Sequence, residues 1–356
     1  MLRGLNTGLT RVLAVTAAAA LALAVPVSPG VARPKPAPPP QEIYVPPPPP
    51  PYLGVGLNDR MVADAAAYQA YMQRATNLSA AFHDGATVAG SLRTAAAYEP
   101  GALVRGAVAF GAIAALQEPT FVASLRAAGE DPEKRRLMLN RFIAEPGYIF
   151  TFPGADAASR NAKQAIGGVG LRLLATGKTV KQSAYDVQRE PWSKEFVPDR
   201  DNRLATVKAL SSASAAPAPE LAGGLKIGIA GGAPLGLGQS PVVRYQTPLI
   251  AKAMALAAFA AVGEAGDAAY QRLTYLTTEQ NTAYCLSMAK LNLNQCLAVA
   301  KPHYEDIFCL GQHILMDTGQ CLAQSGGGLM ALEVSTPPLK LPPPRGVARR
   351  PVKHRR

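Results

Sequence analysis

The chain has 356 residues, is 48% hydrophobic but only 6% aromatic, and carries a formal net charge of +12. That charge sits at the ends: the first 35 residues hold four basic groups and the last 20 hold seven, leaving 25 basic against 24 acidic residues between them. With a nearly neutral body, no zinc-finger spacing and no RNA-binding aromatic signature, a nucleic-acid role rests on charge alone, and four histidines and four cysteines leave few candidates for metal or nucleophilic chemistry.

Arg3 and Arg11 flank a short basic region, and an alanine- and leucine-dominated stretch follows over 12–27. Small residues then lead to Ala32, so 1–32 is read as a signal peptide cleaved just after that residue. The reading predicts secretion across the inner membrane and residence in the periplasm or outer cell envelope. A retained membrane anchor is the competing interpretation. Against it, Pro26 and Pro29 interrupt an apolar run already short of the roughly 20 residues a span requires.

Segment 33–56 is a proline-rich linker, with eleven prolines between Pro34 and Pro51. Each ring fixes φ and removes a donor, which predicts a polyproline II spacer. Such a segment can also serve as a ligand for an aromatic groove.

The expected fold class is mostly α: an irregular multi-helix bundle with a C-terminal disulfide-stapled helical hairpin. Residues 57–214 form a helical domain in this reading, with helices over 62–81, 90–97, 102–116, 120–128, 132–144 and 156–175. Four Glu-Pro pairs, at 99–100, 118–119, 145–146 and 190–191, mark element boundaries because proline suits the first helical turn and disrupts later ones. Asp131-Pro132-Glu133 opens a helix, with aspartate to cap free amides and glutamate to match the positive end of the dipole. Helix 102–116 is almost wholly apolar and is expected at the centre of the core. Gly167, Gly168 and Gly170 weaken their helix unless another backbone approaches closely, so they predict tight helix packing.

Residues 215–245 are expected as a Gly/Pro-rich loop with one short strand over 226–229. Its glycines lack the following Lys-Ser or Lys-Thr and the flanking strand and helix of a phosphate-binding loop. Residues 246–325 form the hairpin domain: an apolar helix over 248–262, helical periodicity over 264–300, a turn at Lys301-Pro302-His303, and a second helix from about Tyr304 to Thr318.

Cys285, Cys296, Cys309 and Cys321 lie symmetrically about this turn. Cys285 and Cys296 are 11 residues apart, about 20° from whole turns, so both face the same way. They are too far apart along the axis, roughly 16 Å, to bond to each other. The expected pairs are therefore Cys296–Cys309 and Cys285–Cys321. Twelve residues from Cys309 to Cys321 leave an angular error of about 120° in a continuous helix. Gly319 is expected to end the helix there and let Cys321 swing across. Zinc by four thiolates lacks the close cysteine pairs it prefers, and no Cys-x-x-Cys supports redox chemistry. Over about 50 residues the arrangement resembles twin-cysteine helical hairpins of small oxidised proteins, although its spacings differ from theirs.

Residues 326–356 are expected as a disordered proline-rich basic tail. Lys340, Arg345, Arg349, Arg350, Lys353, Arg355 and Arg356 form its candidate polyanion-binding set. For an exported protein the matching partners are anionic lipid surfaces and envelope polymers, and no nucleic acid is expected.

No His-Glu-x-x-His, Gly-x-Ser-x-Gly or similar constellation appears, and no catalytic, cofactor or metal residues are assigned. The leading expectation is a non-catalytic structural or adaptor protein of the envelope, working in a protein assembly or as a homo-oligomer. The alternative is a periplasmic peptidoglycan or glycan hydrolase with a carboxylic acid such as Glu118 or Glu279.

Overall fold

A computed structural model describes residues 54–213, 216–230, 234–237 and 246–327. The leader, most of the proline-rich linker and the basic tail lie outside these residues.

The fold is mostly helical, and among the described residues the only β feature is an isolated antiparallel bridge between Phe196 and Pro302. The first five helices are α1 (Asp59–Thr76), α2 (Gly85–Ala96), α3 (Pro100–Ala115), α4 (Pro119–Ala128) and α5 (Pro132–Ala144). Their starts follow from capping chemistry. Asn58, Asp84, Glu99, Glu118 and Asp131 each accept a hydrogen bond from a first-turn amide, and proline occupies the first helical turn of α3, α4 and α5. Gly129 closes α4 as expected.

A long rod follows, composed of α6 (Ala155–Lys163), a π-helical segment (Gln164–Gly168) and α7 (Val169–Asp186). Short α8 (Pro191–Lys194), α9 (Arg200–Ser212) and α10 (Pro219–Ile229) come next. The structure departs from the sequence reading at α10, where a loop with a strand over 226–229 is expected. Pro219 starts a helix there, and Gly223 and Gly224 are tolerated on its exposed side.

The remaining elements are α11 (Pro248–Ala261), α12 (Tyr270–Leu273), α13 (Gln280–Val299), α14 (His303–Cys309), a second π segment (Leu310–Met316) and α15 (Asp317–Ser325).

The core is alanine-rich. Every residue of α3 from Gly106 to Ala115 is buried, as is α11 from Leu249 to Ala261 apart from Lys252. α3 packs against α1, α11 and α6, and α7 packs against the second π segment and α15. No single helix among the described residues is long and apolar enough to cross a membrane.

α7 and α15 cross in close antiparallel contact. A β-carbon on Gly319 would lie 2.5 Å from the Leu174 amide nitrogen and 2.9 Å from the Gly170 carbonyl oxygen. One on Gly170 would lie 2.5 Å from the Ala323 nitrogen. Only hydrogen fits at either position, which is the close backbone approach that the glycines of 167–170 predict.

Gly319→Val should therefore lower unfolding stability by about 3 kcal/mol in urea titration. Gly223→Ala has nothing within 4 Å of the new methyl and should raise it by about 0.5–1 kcal/mol. Equal effects at the two positions would contradict the crossing.

Candidate functional site

Both disulfides form as expected. Cys285 pairs with Cys321 and Cys296 with Cys309, at Cα–Cα distances of 5.8 and 5.7 Å, within the usual span for a bridge. None of the four cysteines is free.

The means by which the outer pair meets differs from the expectation. The helix does not stop at Gly319, and Cys321 lies inside α15. The angular correction comes from the π segment Leu310–Met316. A π turn takes up about one extra residue, so the error of about 120° over Cys309 to Cys321 falls to about 20°. The cysteines of both arms then face each other across continuous helices. Gly319 serves the contact with Gly170 instead.

Two arginines of α9 close the end of α13, whose last carbonyls lack intrahelical partners. Arg200 donates from Nε to the Ala300 oxygen at 2.9 Å and from a terminal nitrogen to the Ala298 oxygen at 3.1 Å. Arg203 donates to the Leu297 carbonyl and to Asp306 Oδ1. The Arg203–Asp306 pair is deeply buried, with side chains 8% and 2% exposed. Burial pushes the Asp306 carboxyl up to about 6, against the opposing pull of Arg203. The segment before α9 seals the turn from outside, where the Val197 amide donates to the Lys301 oxygen at 2.8 Å and the His303 amide to the Glu195 oxygen at 3.2 Å.

The hairpin also holds α2 at both ends. At its C-terminal end, buried Lys290 donates to the Ala96 oxygen at 2.6 Å and lies 3.4 Å from the centre of the Tyr98 ring. Burial draws its ammonium well below its ordinary pKa, while Glu99 opposes that shift. Tyr98 in turn hydrogen-bonds Thr318 at 2.6 Å. At the N-terminal end the His303 imidazole lies directly on Gly85, where a β-carbon would approach Cε1 to 2.2 Å.

Between α2, the start of α9 and His303 lies a cleft of about 290 Å³. Ala86, Ala89, Leu92 and Val207 give it apolar walls, while Arg93, Thr206 and His303 contribute polar groups. His303 is 8% exposed, and burial lowers its pKa against the opposing pull of nearby Glu195.

On the outer side, Tyr185, Val299 and Phe308 line a groove of about 410 Å³ against the Cys296–Cys309 bridge. Tyr284, Leu291 and Val299 of α13 are exposed, as are Tyr185 and Phe196 nearby in the fold.

The tail set Lys340, Arg345, Arg349, Arg350, Lys353, Arg355 and Arg356 lies outside the described residues. Glu118 and Glu279, the carboxylates named for a glycan hydrolase, are both N-caps. Glu118 accepts from the Thr120 amide, and Glu279 from the amides of Asn281 and Thr282 and from the Thr282 hydroxyl. Among the described residues no group of three or more His, Cys, Asp or Glu side chains is placed to hold a metal ion.

Arg203, His303 and Lys290 are the residues that sequence reading missed. Their partners lie 94 to 218 positions away, and none belongs to a local motif. The Lys301-Pro302-His303 turn marked the place but not the contacts.

Comparison with protein-family models, curated proteins and solved structures finds no match.

Proposed function

We propose that this chain is an exported, non-catalytic structural or adaptor protein of the cell envelope, whose helical body joins a protein assembly or homo-oligomer and whose basic tail attaches to an anionic surface. The observation that carries the reading is the nested pair of disulfides, which engages every cysteine of the chain. Such bridges persist in oxidising compartments and are rare in a reducing cytosol. The exposed apolar residues Tyr284, Leu291 and Val299 on the braced hairpin support a contact role. The hydrolase alternative draws no support from Glu279, whose two oxygens are engaged by helix amides, or from Glu118, which caps α4 through one oxygen.

Removal of 337–356 tests the attachment. Basic residues near an anionic bilayer contribute about 1 kcal/mol each, so cosedimentation with phosphatidylglycerol vesicles at low salt should fall at least about tenfold. Unchanged cosedimentation would refute the tail's role. The mass of the native particle purified from its source, measured by light scattering, tests the body: a particle heavier than one chain is expected, and a lone monomer overturns the assembly.

A further inference from the structure

The groove over the Cys296–Cys309 bridge is walled by three aromatic rings, Tyr185, Tyr304 and Phe308. Tyr185 stands edge-on to Phe308 with ring centres 6.2 Å apart, and Tyr185 and Val299 remain exposed. The Tyr185 and Tyr304 hydroxyls have no hydrogen-bond partner among the described residues. Glu305 is the one charged side chain lining the groove. One of its oxygens accepts from the Lys301 amide at 2.7 Å, and it forms no ion pair among the described residues. Lys181, over the Phe308 ring, is held by Gln312. Aromatic walls with free hydroxyl donors suit proline-rich chain: the rings pack on pyrrolidines, and the hydroxyls donate to carbonyls that polyproline II leaves unpaired.

The chain carries such a ligand within reach. Gly326 sits against Gly167, so α15 ends beside the start of α7, whereas the groove lies at the far end of α7. The path along the helix from Gly167 to Tyr185 is about 27 Å. After Gly327, residues 328–336 precede Pro337-Pro338-Leu339-Lys340-Leu341-Pro342-Pro343-Pro344-Arg345. Extended chain from Gly327 to Pro337 spans about 33 Å, which covers that path with little to spare. Lys340 and Arg345 also bring to the prolines the charge that Glu305 lacks. The other proline run, Pro46 to Pro51, has no basic residue between Lys35 and Arg60.

We propose that this groove seats residues 337–345 of the same chain, with prolines on Tyr185, Tyr304 and Phe308 and a cation of the stretch on Glu305. The basic residues from Arg349 onward then depart from beside the hairpin turn, whatever surface they bind.

The test places p-benzoylphenylalanine at exposed Gln188, on the groove, in the full oxidised chain, and irradiates an equal mixture of unlabelled and ¹⁵N-labelled protein. Cross-links to 337–345 within single chains are expected. Cross-links pairing labelled with unlabelled chains would assign the groove to a second copy, and cross-links to 34–51 to the linker; either overturns the proposal. Limited trypsin digestion supplies a second readout. The Lys340–Leu341 bond should be cut at least about tenfold more slowly in the chain than in a free peptide of residues 332–350, with the Arg349–Arg350 bond cut equally in both. Tyr185→Ala, at an exposed position, should raise cleavage after Lys340 about tenfold and leave cleavage after Arg349 unchanged. No cross-link to 337–345, equal cleavage after Lys340 in chain and peptide, or a rate unmoved by Tyr185→Ala would overturn the proposal.

Discussion

Arg203→Leu is expected to lower unfolding stability by about 3–5 kcal/mol at neutral pH, because it leaves Asp306 charged and almost fully buried. The same substitution strips the Leu297 carbonyl at the end of α13 of its donor. The loss should depend on pH. Asp306 titrates at about 6 in the folded chain, above its ordinary value of 3.8, so the folded state holds the extra proton between these values. Its contribution to stability is greatest below about pH 4 and declines as pH rises through about 6. A neutral carboxyl needs no guanidinium, and the gap between variant and parent should narrow in urea titrations near pH 4. Arg203→Leu combined with Asp306→Leu should recover much of the loss at pH 7, since an apolar pair removes the stranded charge. Equal losses at both pH values, with no recovery in the double variant, would show that the pair does not fasten the turn.

The second large effect belongs to the outer bridge. Cys285→Ala with Cys321→Ala should cost about 4 kcal/mol, against about 3 for the inner pair, because the outer bridge closes 36 residues of chain and the inner one 13. Thermal unfolding of both double variants, with the parent measured in reducing agent, checks the order. A larger loss from the inner pair would contradict an origin in chain entropy. Peptide mapping under non-reducing conditions should return the two nested pairs and no Cys285–Cys296 peptide.

The cysteine pairing was legible because bridge geometry is a spacing rule and the turn lies at its centre. The helix starts at Pro100, Pro119 and Pro132 were legible because proline preceded by an acidic cap has a local physical meaning. The π segment was not legible. No local residue demands it, and it follows from two long-range conditions met together: the register of Cys321 opposite Cys285 and the contact of Gly319 with Gly170. The open angle at Cys321 points to Gly319 as a helix stop, whereas the residue sits within α15 and serves the contact with Gly170. α10 was missed because paired glycines read as loop when burial of its other side, at Leu225 and Ile229, is unknown. The cleft was invisible because Arg93, Arg203 and His303 come from three separate stretches of chain.

The nested bridges also determine where force travels. A pull on the chain beyond Ser325 reaches Cys321 within α15 and crosses to Cys285 through a covalent bond. The 36-residue excursion through the turn is thereby shielded from tension. His303 and Asp306 lie inside that excursion and stay off the covalent load path. Reduction would lengthen the mechanical route by that whole excursion, so the oxidised chain acts as a short, stiff link and the reduced one as an extensible link.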